Sequence, residues 1–390
     1  MSDSKRLRRI AVVTGTRSEY GLFRPVLDAI DSHPELESLL VVTGMHLSPR
    51  YGETVREIEA EREVAARIPM DVEEDSGAGM ARSIGQGISG LSDCFEELCP
   101  DIVLLLGDRG EPFAAAVAAA HQLICVAHIH GGDVSGGVDE SVRHALTRLA
   151  HLHFAASPRS RDRLLAMGER KETVHCVGAP GLDYILGAQH ASSEEVRAFL
   201  GFEEKVAPLL LALHPETWAP EKAGEQMRQV LDVALSVEYP LVVIHPNSDA
   251  GRTPMVREIE RCFAEGEEKR FCHFATLPHP VYLGLLREAR AMLGNSSSGL
   301  IEAPSFGLPV VNVGGRQRGR ERGENVIDVP FETGTLREAL DRALHDGAFR
   351  ERVSKGKNPY GDGRAGTRIA QVLSKVALTP DLLQKKLEWS

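Results

Sequence analysis

Several signatures that would assign a function outright are missing from this chain. It has no GxxxxGKS/T phosphate-binding loop, no GxSxG nucleophile elbow and no HExxH zinc motif. Its six cysteines (Cys94, Cys99, Cys125, Cys176, Cys262 and Cys272) show no CxxC or other metal-ligand spacing. Most of them sit in apolar runs, where a thiol behaves as a small hydrophobe and suits a reducing compartment. No segment approaches the roughly 20 apolar residues that span a bilayer. The stretch IAVV after the basic start MSDSKRLRR is too short for a signal-peptide core. Positive charge is also scarce, with 45 Lys and Arg against 56 Asp and Glu and a net charge of −11. That balance argues against non-specific nucleic-acid binding. The expectation is a cytoplasmic protein with no metal, no membrane association and no nucleic-acid partner. Any anionic ligand would need a local basic pocket.

The 390 residues are too many for one ordinary α/β domain and comfortable for two. Short apolar strands alternate with helical patterns in the first half. Strands are expected at 9–13, 39–43, 102–106, 124–129, 153–155 and 173–176. Helices are expected at 22–32, 52–60, 80–98, 112–121, 140–149 and 160–167. The pattern restarts after about residue 185, with strands at 209–213, 241–245, 271–274, 291–293 and 310–313. Such alternation implies mostly parallel sheets with helices on both faces, whose ligands bind at the carboxyl ends of the strands. The reading is two α/β halves facing each other across a cleft. A helical tail from Arg364 to about Val376 is expected to return to the first half. No internal repeat or low-complexity block is present.

The stretch GNSSSGLIEAPSFGLPVVNVGGRQRGRERGENVID, residues 294–328, is the most informative. An apolar strand runs into a small polar turn (Asn295, Ser296, Ser297, Ser298, Gly299), then a helix start carrying Glu302, a second strand and an arginine loop. A strand–turn–helix unit aims backbone N–H groups and a helix dipole at one spot where a diphosphate can sit. A carboxylate one turn in can accept hydrogen bonds from sugar hydroxyls, as in dinucleotide folds. Arg316, Arg318, Arg320 and Arg322 could supply the basic pocket, although a solvated charge run would read the same way.

Other polar clusters also fall just past strand ends. TGTRSEYG places Arg17 where a guanidinium can grip a phosphate bidentately. LLLGDRGEP places Asp108 and Arg109 at the end of a strand. The segment from His128 to Phe154 carries His130, Asp133, Asp139, Glu140, Arg143 and His144 among glycines that allow close backbone approach. Asp139 would be favoured at a helix start by the dipole, as a cap or as more than a cap. His128, within the apolar strand, reads as a core residue. In the second half, LALHPETW brings His214 and VVIHPNSDAGR brings Asn247 to strand ends. His245 reads as strand-end packing.

In order, GTRSEYG, GDRGEP, HIHGGDVSGGVDESVRHALTRLAHLH, HPET, GNSSSGLIEAPSFGLP, GGRQRGRERGENVIDV and NPYGDGRAGTRI resemble the motifs of the UDP-N-acetylglucosamine 2-epimerase family. They look most like its hydrolysing branch, used in sialic-acid-type biosynthesis. The resemblance implies a GT-B-like α/β architecture. Residues 1–185 would form one Rossmann-like domain and 186–365 a nucleotide-binding second. Residues 366–390 would be a helix returning to the first. It also implies a UDP-sugar substrate, no cofactor and a homodimer or higher homo-oligomer.

The implied chemistry is removal of the C2 proton as UDP leaves C1, giving a glycal to which water adds. The products would be UDP and N-acetylmannosamine. A UDP-linked 2,4-diacetamido-trideoxyhexose is an alternative substrate for the same chemistry, and a GT-B glycosyltransferase is an alternative reaction. By resemblance, Arg17, Arg109, Ser296, Ser297, Ser298 and Arg316 are phosphate contacts and Glu302 is the ribose ligand. His214 and Asn247 touch the nucleotide sugar, and His214 also assists the leaving group. Asp108 and Asp139 move protons. Several relatives have a glutamate where this chain has His130. The second proton-transfer group is therefore either His130, an imidazole being suited to that work, or Asp133.

Overall fold

The structure, a computed structural model, describes residues 6–72, 77–134, 137–187, 190–202, 207–216, 219–246, 251–265, 270–275 and 277–386. The chain divides into two compact units, one of residues 1–184 with 360–390 and one of residues 185–359.

The first unit begins β1 (Arg8–Thr14), α1 (Arg17–Asp31), β2 (Leu36–Thr43), α2 (Val55–Glu59) and β3 (Ala66–Ile68). It continues α3 (Gly77–Leu98), β4 (Ile102–Leu106), α4 (Gly110–His121), β5 (Cys125–Ile129) and α5 (Gly137–Leu149). Then come β6 (Leu152–Ala155), α6 (Pro158–Ala166), β7 (Val174–Cys176) and α7 (Pro180–Gly187). The seven strands pair in the order β3-β2-β1-β4-β5-β6-β7, and every pairing is parallel. The central strands are buried on both faces, which is why IVLLL and CVAHI carry no alternation of polar and apolar residues.

The second unit contains α8 (Ser193–Leu200), β8 (Leu209–Ala212), α9 (Ala223–Leu235), β9 (Leu241–Ile244) and α10 (Arg252–Glu265). It continues β10 (Phe271–Phe274), α11 (His279–Glu288), β11 (Ala291–Gly294), α12 (Ser298–Ile301) and β12 (Val310–Val313). It ends with β13 (Val326–Val329), α13 (Thr333–His345) and α14 (Gly347–Lys355). Its sheet has the order β10-β9-β8-β11-β12-β13, again all parallel. The chain reverses its winding between β1 and β4 in the first unit and between β8 and β11 in the second. Loops diverge at such a reversal and leave a crevice at the carboxyl ends of the strands.

The chain then returns to the first unit as α15 (Ala365–Lys375) and α16 (Pro380–Leu383). Ile369, Ala370 and Leu373 join the core formed by Phe23, Val26 and Leu27 of α1. The Asp183 carboxylate accepts hydrogen bonds from the N–H groups of Ala365 (2.8 Å) and Gly366 (2.6 Å), satisfying two otherwise orphaned donors at the start of α15.

Several local expectations are corrected. Strands β3 and β13 were not expected. Both are short outer strands of polar sequence context, so they lack a strong apolar run. The helix expected at 52–60 shrinks to α2, because Gly52 adopts a left-handed φ of 88° after a 3₁₀ turn at Pro49–Tyr51. Helix α5 starts three residues before the expected Glu140. The helix after the serine turn is a single turn. Pro304 has no N–H and hands the chain to a 3₁₀ turn at Ala303–Phe306. Little macrodipole can accumulate over so few peptides.

The α1–α15 contact gives a test of packing. A Cβ added at Gly366 would lie 2.5 Å from the Pro25 carbonyl oxygen, whereas one at Gly21 meets nothing within 4 Å. Gly366→Ala should destabilise by about 1–3 kcal/mol. Gly21→Ala, in the same unit and on a helix, should stabilise by up to about 1 kcal/mol. Urea unfolding of the two variants checks both signs.

Candidate functional site

In the first unit the exits of β4 and β5 are tied together by one buried side chain. Arg143, on α5, forms an ion pair with the Asp108 carboxylate and donates from Nη1 to the His130 carbonyl oxygen (2.8 Å). The His130 backbone is left-handed, with φ 66°. That conformation costs a non-glycine residue about 1 kcal/mol or more. The bond to its carbonyl and its own N–H bond to Phe154 O (3.0 Å) hold it there. The result turns the imidazole back along the loop, where Nδ1 meets Asp133 Oδ2 at 2.8 Å.

Asp133 is fully engaged. Its other oxygen accepts from Ser160 Oγ at 2.5 Å, on the first turn of α6. Burial pushes the Asp133 carboxyl upward, but the His130 hydrogen bond and charge, Arg143 and Ser160 together hold it below the usual carboxylate range. Among the described residues, His130 Nε2 has no hydrogen-bond partner, and the side chain stays 14% exposed. The arrangement fixes one ring nitrogen and leaves the other for a reacting group. His128 is a core histidine: it is fully buried, bonded through Nε2 to Gly107 O (2.7 Å), and lowered to about 3 mainly by burial. It is therefore neutral at physiological pH.

A second polar group fills the crevice beside β1. The Glu111 side chain, from the first turn of α4, occupies the space that a Cβ would need at Gly15 and Gly44. Glu19 accepts from the N–H of Gly15 (2.9 Å), and Thr16 Oγ1 accepts from the N–H of Glu19 (3.3 Å), so the pair closes the start of α1 in the manner of a capping box. Burial, and then the nearby Glu111 carboxylate, raise Glu19 to about 7. His46 is buried between Thr14 and Thr54 hydroxyls (3.2 and 2.7 Å) and lowered to about 4 by burial. Glu111 and His46 do not stand out in the sequence, because the residues they meet lie on other loops. Arg17 and Arg109 are solvent-exposed, with Arg17 3.3 Å from Glu57 and Arg109 3.7 Å from Glu111.

In the second unit, Asn295 does for β8 and β11 what Arg143 does for β4 and β5. Its Oδ1 accepts from the His214 N–H (2.7 Å) and its Nδ2 donates to the His214 carbonyl (2.9 Å). Gly294 makes this approach possible, since at φ 134° a Cβ there would overlap Ala212 O. Gln317, buried in the arginine loop, donates to the Asn295 carbonyl at 2.8 Å. The Glu216 carboxylate accepts from the Gly315 N–H, fixing the start of that loop and so placing the exposed Arg316. Arg322 is committed to Asp328, at 2.5 Å.

The three serines divide. Ser296 and Ser297 are partly exposed, whereas Ser298 is turned inward. Its Oγ contacts the Tyr282 hydroxyl and donates to Glu302 Oε2 at 3.0 Å. Burial raises the Glu302 carboxyl despite that bond. Asn247 and the Asp139 side chain lie outside what the structure describes. Among the described residues, no three or more His, Cys, Asp or Glu side chains are grouped to hold a metal ion. No described helix is long and apolar enough to cross a membrane.

Comparison with known proteins fixes the lineage of this arrangement. The model of a family described as UDP-N-acetylglucosamine 2-epimerase matches residues 28–374. The chain belongs to that family. A Legionella pneumophila member, a hydrolyzing UDP-N,N'-diacetylbacillosamine 2-epimerase, is 40% identical over 97% of this chain and 99% of its own length. A UDP-N-acetylglucosamine 2-epimerase from Neisseria meningitidis is 33% identical over 94% of this chain and 95% of its own. The crystal structure of a Neisseria meningitidis UDP-GlcNAc 2-epimerase bound to UDP-GlcNAc matches with a TM-score of 0.74 and 21% identity, covering 94% of this chain and all of that one. At that identity the likeness shows the fold, two Rossmann-like parallel-sheet domains of the GT-B kind.

The buried Glu19 gives a pH test. Its group sits at about 7 when folded against 4.5 ordinarily. The folded chain therefore holds the extra proton, and the associated stability is full below pH 4.5 and lost as pH rises through 7. The loss approaches about 3 kcal/mol. Glu19→Gln keeps the cap and removes the titration. Urea unfolding at pH 5 and pH 8 should show a steep fall for the parent and a much smaller one for the variant.

Proposed function

We propose that this chain is a hydrolysing 2-epimerase of a UDP-linked 2-acetamido sugar. The reading rests on family membership together with one local observation: a carboxylate and an imidazole, Asp108 and His130, held at adjacent strand exits by the same buried arginine. Abstraction of a carbon-bound proton at C2 and its return on the other face require two such groups. Loss of UDP from C1 yields the glycal. Addition of water then releases the free sugar, inverted at C2.

Within this reading Asp108, Asp139 and His130 move protons, and Asp133 fixes the His130 tautomer because both of its oxygens are already occupied. Ser296, Ser297, Arg316, Arg17 and Arg109 take the diphosphate, where charge-assisted donors favour its departure. Glu302 takes the ribose, with Ser298 orienting it. His214 and Asn247 complete the nucleotide-sugar contacts.

Two substrates are supported by relatives. The hydrolyzing Legionella protein, at 40% identity, is named for UDP-N,N'-diacetylbacillosamine, and the 33% identical Neisseria protein for UDP-N-acetylglucosamine. We favour the diacetamido sugar on that difference and keep UDP-N-acetylglucosamine as the second reading. Unbridged cysteines accord with a cytoplasmic setting, and we place the enzyme there, as a homodimer or higher homo-oligomer.

Each sugar nucleotide incubated singly in deuterated water should give UDP and a free sugar carrying deuterium at C2, with the larger kcat/KM for the diacetamido substrate. Release of neither product from either compound ends the assignment. UDP release without deuterium at C2 ends the elimination route. Asp108→Asn should lower turnover by about 10²–10⁴-fold with UDP affinity nearly unchanged. Glu302→Gln should weaken UDP binding by about 1.5–3 kcal/mol. Calorimetric titration with UDP separates the two phenotypes.

A further inference from the structure

A large groove in the first unit lies apart from the residues assigned above. Its volume is about 1000 Å³, and it runs along β7, the outermost strand of the sheet, between α6 and α15. Four cations line it: Arg161 on α6, Lys171 before β7, and Arg368 and Lys375 on α15. A single carboxylate, Glu172, shares the lining. Arg161 and Arg368 are partly neutralised by Asp162 and Asp362. Lys171 and Lys375 make no ion pair among the described residues. Between the cations the wall is aliphatic, formed by Leu165, Val174, Val372 and Val376. His175 adds no charge at neutral pH, because burial lowers it.

This local excess of positive charge runs against a chain whose net charge is −11. Exposed lysines without partners beside an apolar wall suit a ligand that presents an anion and an aliphatic surface together. A bare phosphate would leave the wall hydrated, and a neutral alkyl chain would leave the ammonium groups without counter-charge. The volume falls at the upper end of that found for small-molecule sites.

We propose that the β7 groove binds a small amphiphilic anion, a phosphate or carboxylate head carrying an aliphatic chain. Cys176 lines the groove and is exposed, while Cys99 is exposed elsewhere and serves as an internal reference. The full-length protein is labelled with a maleimide and both thiols are followed by peptide mass spectrometry. The probes are octyl phosphate, octanoate, inorganic phosphate and octyl glucoside, all below micelle-forming concentrations. Octyl phosphate or octanoate at about four times its Kd should slow Cys176 labelling about fivefold and leave Cys99 unchanged. Comparison of these two arms shows whether phosphate or carboxylate is preferred.

In Lys171→Glu/Lys375→Glu the half-effective concentration should rise at least about tenfold. Protection should also weaken as salt is raised, and that measurement on the parent protein stands if the double variant fails to fold. The proposal is overturned if neither amphiphile protects Cys176, or if inorganic phosphate or octyl glucoside protects equally well. It is also overturned if protection survives both the charge reversal, in a variant with unaltered circular dichroism, and high salt.

Discussion

One buried guanidinium organises the polar strand exits of the first unit. Arg143 spends its two terminal nitrogens on a side-chain carboxylate and a main-chain carbonyl that belong to neighbouring strand exits. It thereby sets where Asp108 points and keeps His130 in a backbone state that a histidine seldom adopts. The second unit repeats the device in neutral form, since the carboxamide of Asn295 grips both the N–H and the carbonyl of His214. Each parallel sheet opens a crevice where its winding reverses. In each, a single interior polar group keeps the flanking loops in register, and buried polar groups so satisfied rigidify what they join.

Much of this was legible in the sequence, for a physical reason. A doubly wound sheet writes itself as apolar strands alternating with amphipathic helices, and its functional residues cluster just past the strands. Asp108, His130, Asp133 and His214 are conspicuous because each lies within a few residues of the end of an apolar strand. The inward turn of His128 was legible too, since a histidine flanked by Ala127 and Ile129 within a strand can only face the core.

The unread part consists of contacts between loops distant in sequence. Arg143 is visible as a charged residue, but nothing local says that it reaches back to His130 rather than outward. Glu111 looks like an ordinary first-turn acid until the glycines at 15 and 44 are seen to leave room for it. Glu216 and Gln317 acquire meaning only once the loop after β12 is folded beside those after β8 and β11. The inward rotation of Ser298 toward Tyr282 breaks the apparent equivalence of three consecutive serines, and a proline six residues on limits the helix that follows them.

The return of α15 onto α1 has a consequence for how the polypeptide matures. The apolar stripe formed by Phe23, Val26 and Leu27 is completed only by Ile369, Ala370 and Leu373. During translation, at about 5–20 residues per second, that stripe emerges well before its cover, which follows the whole 185–359 segment. The 185–359 segment has all of its strands before then and can consolidate first. The amino-terminal half must meanwhile wait with an open hydrophobic seam.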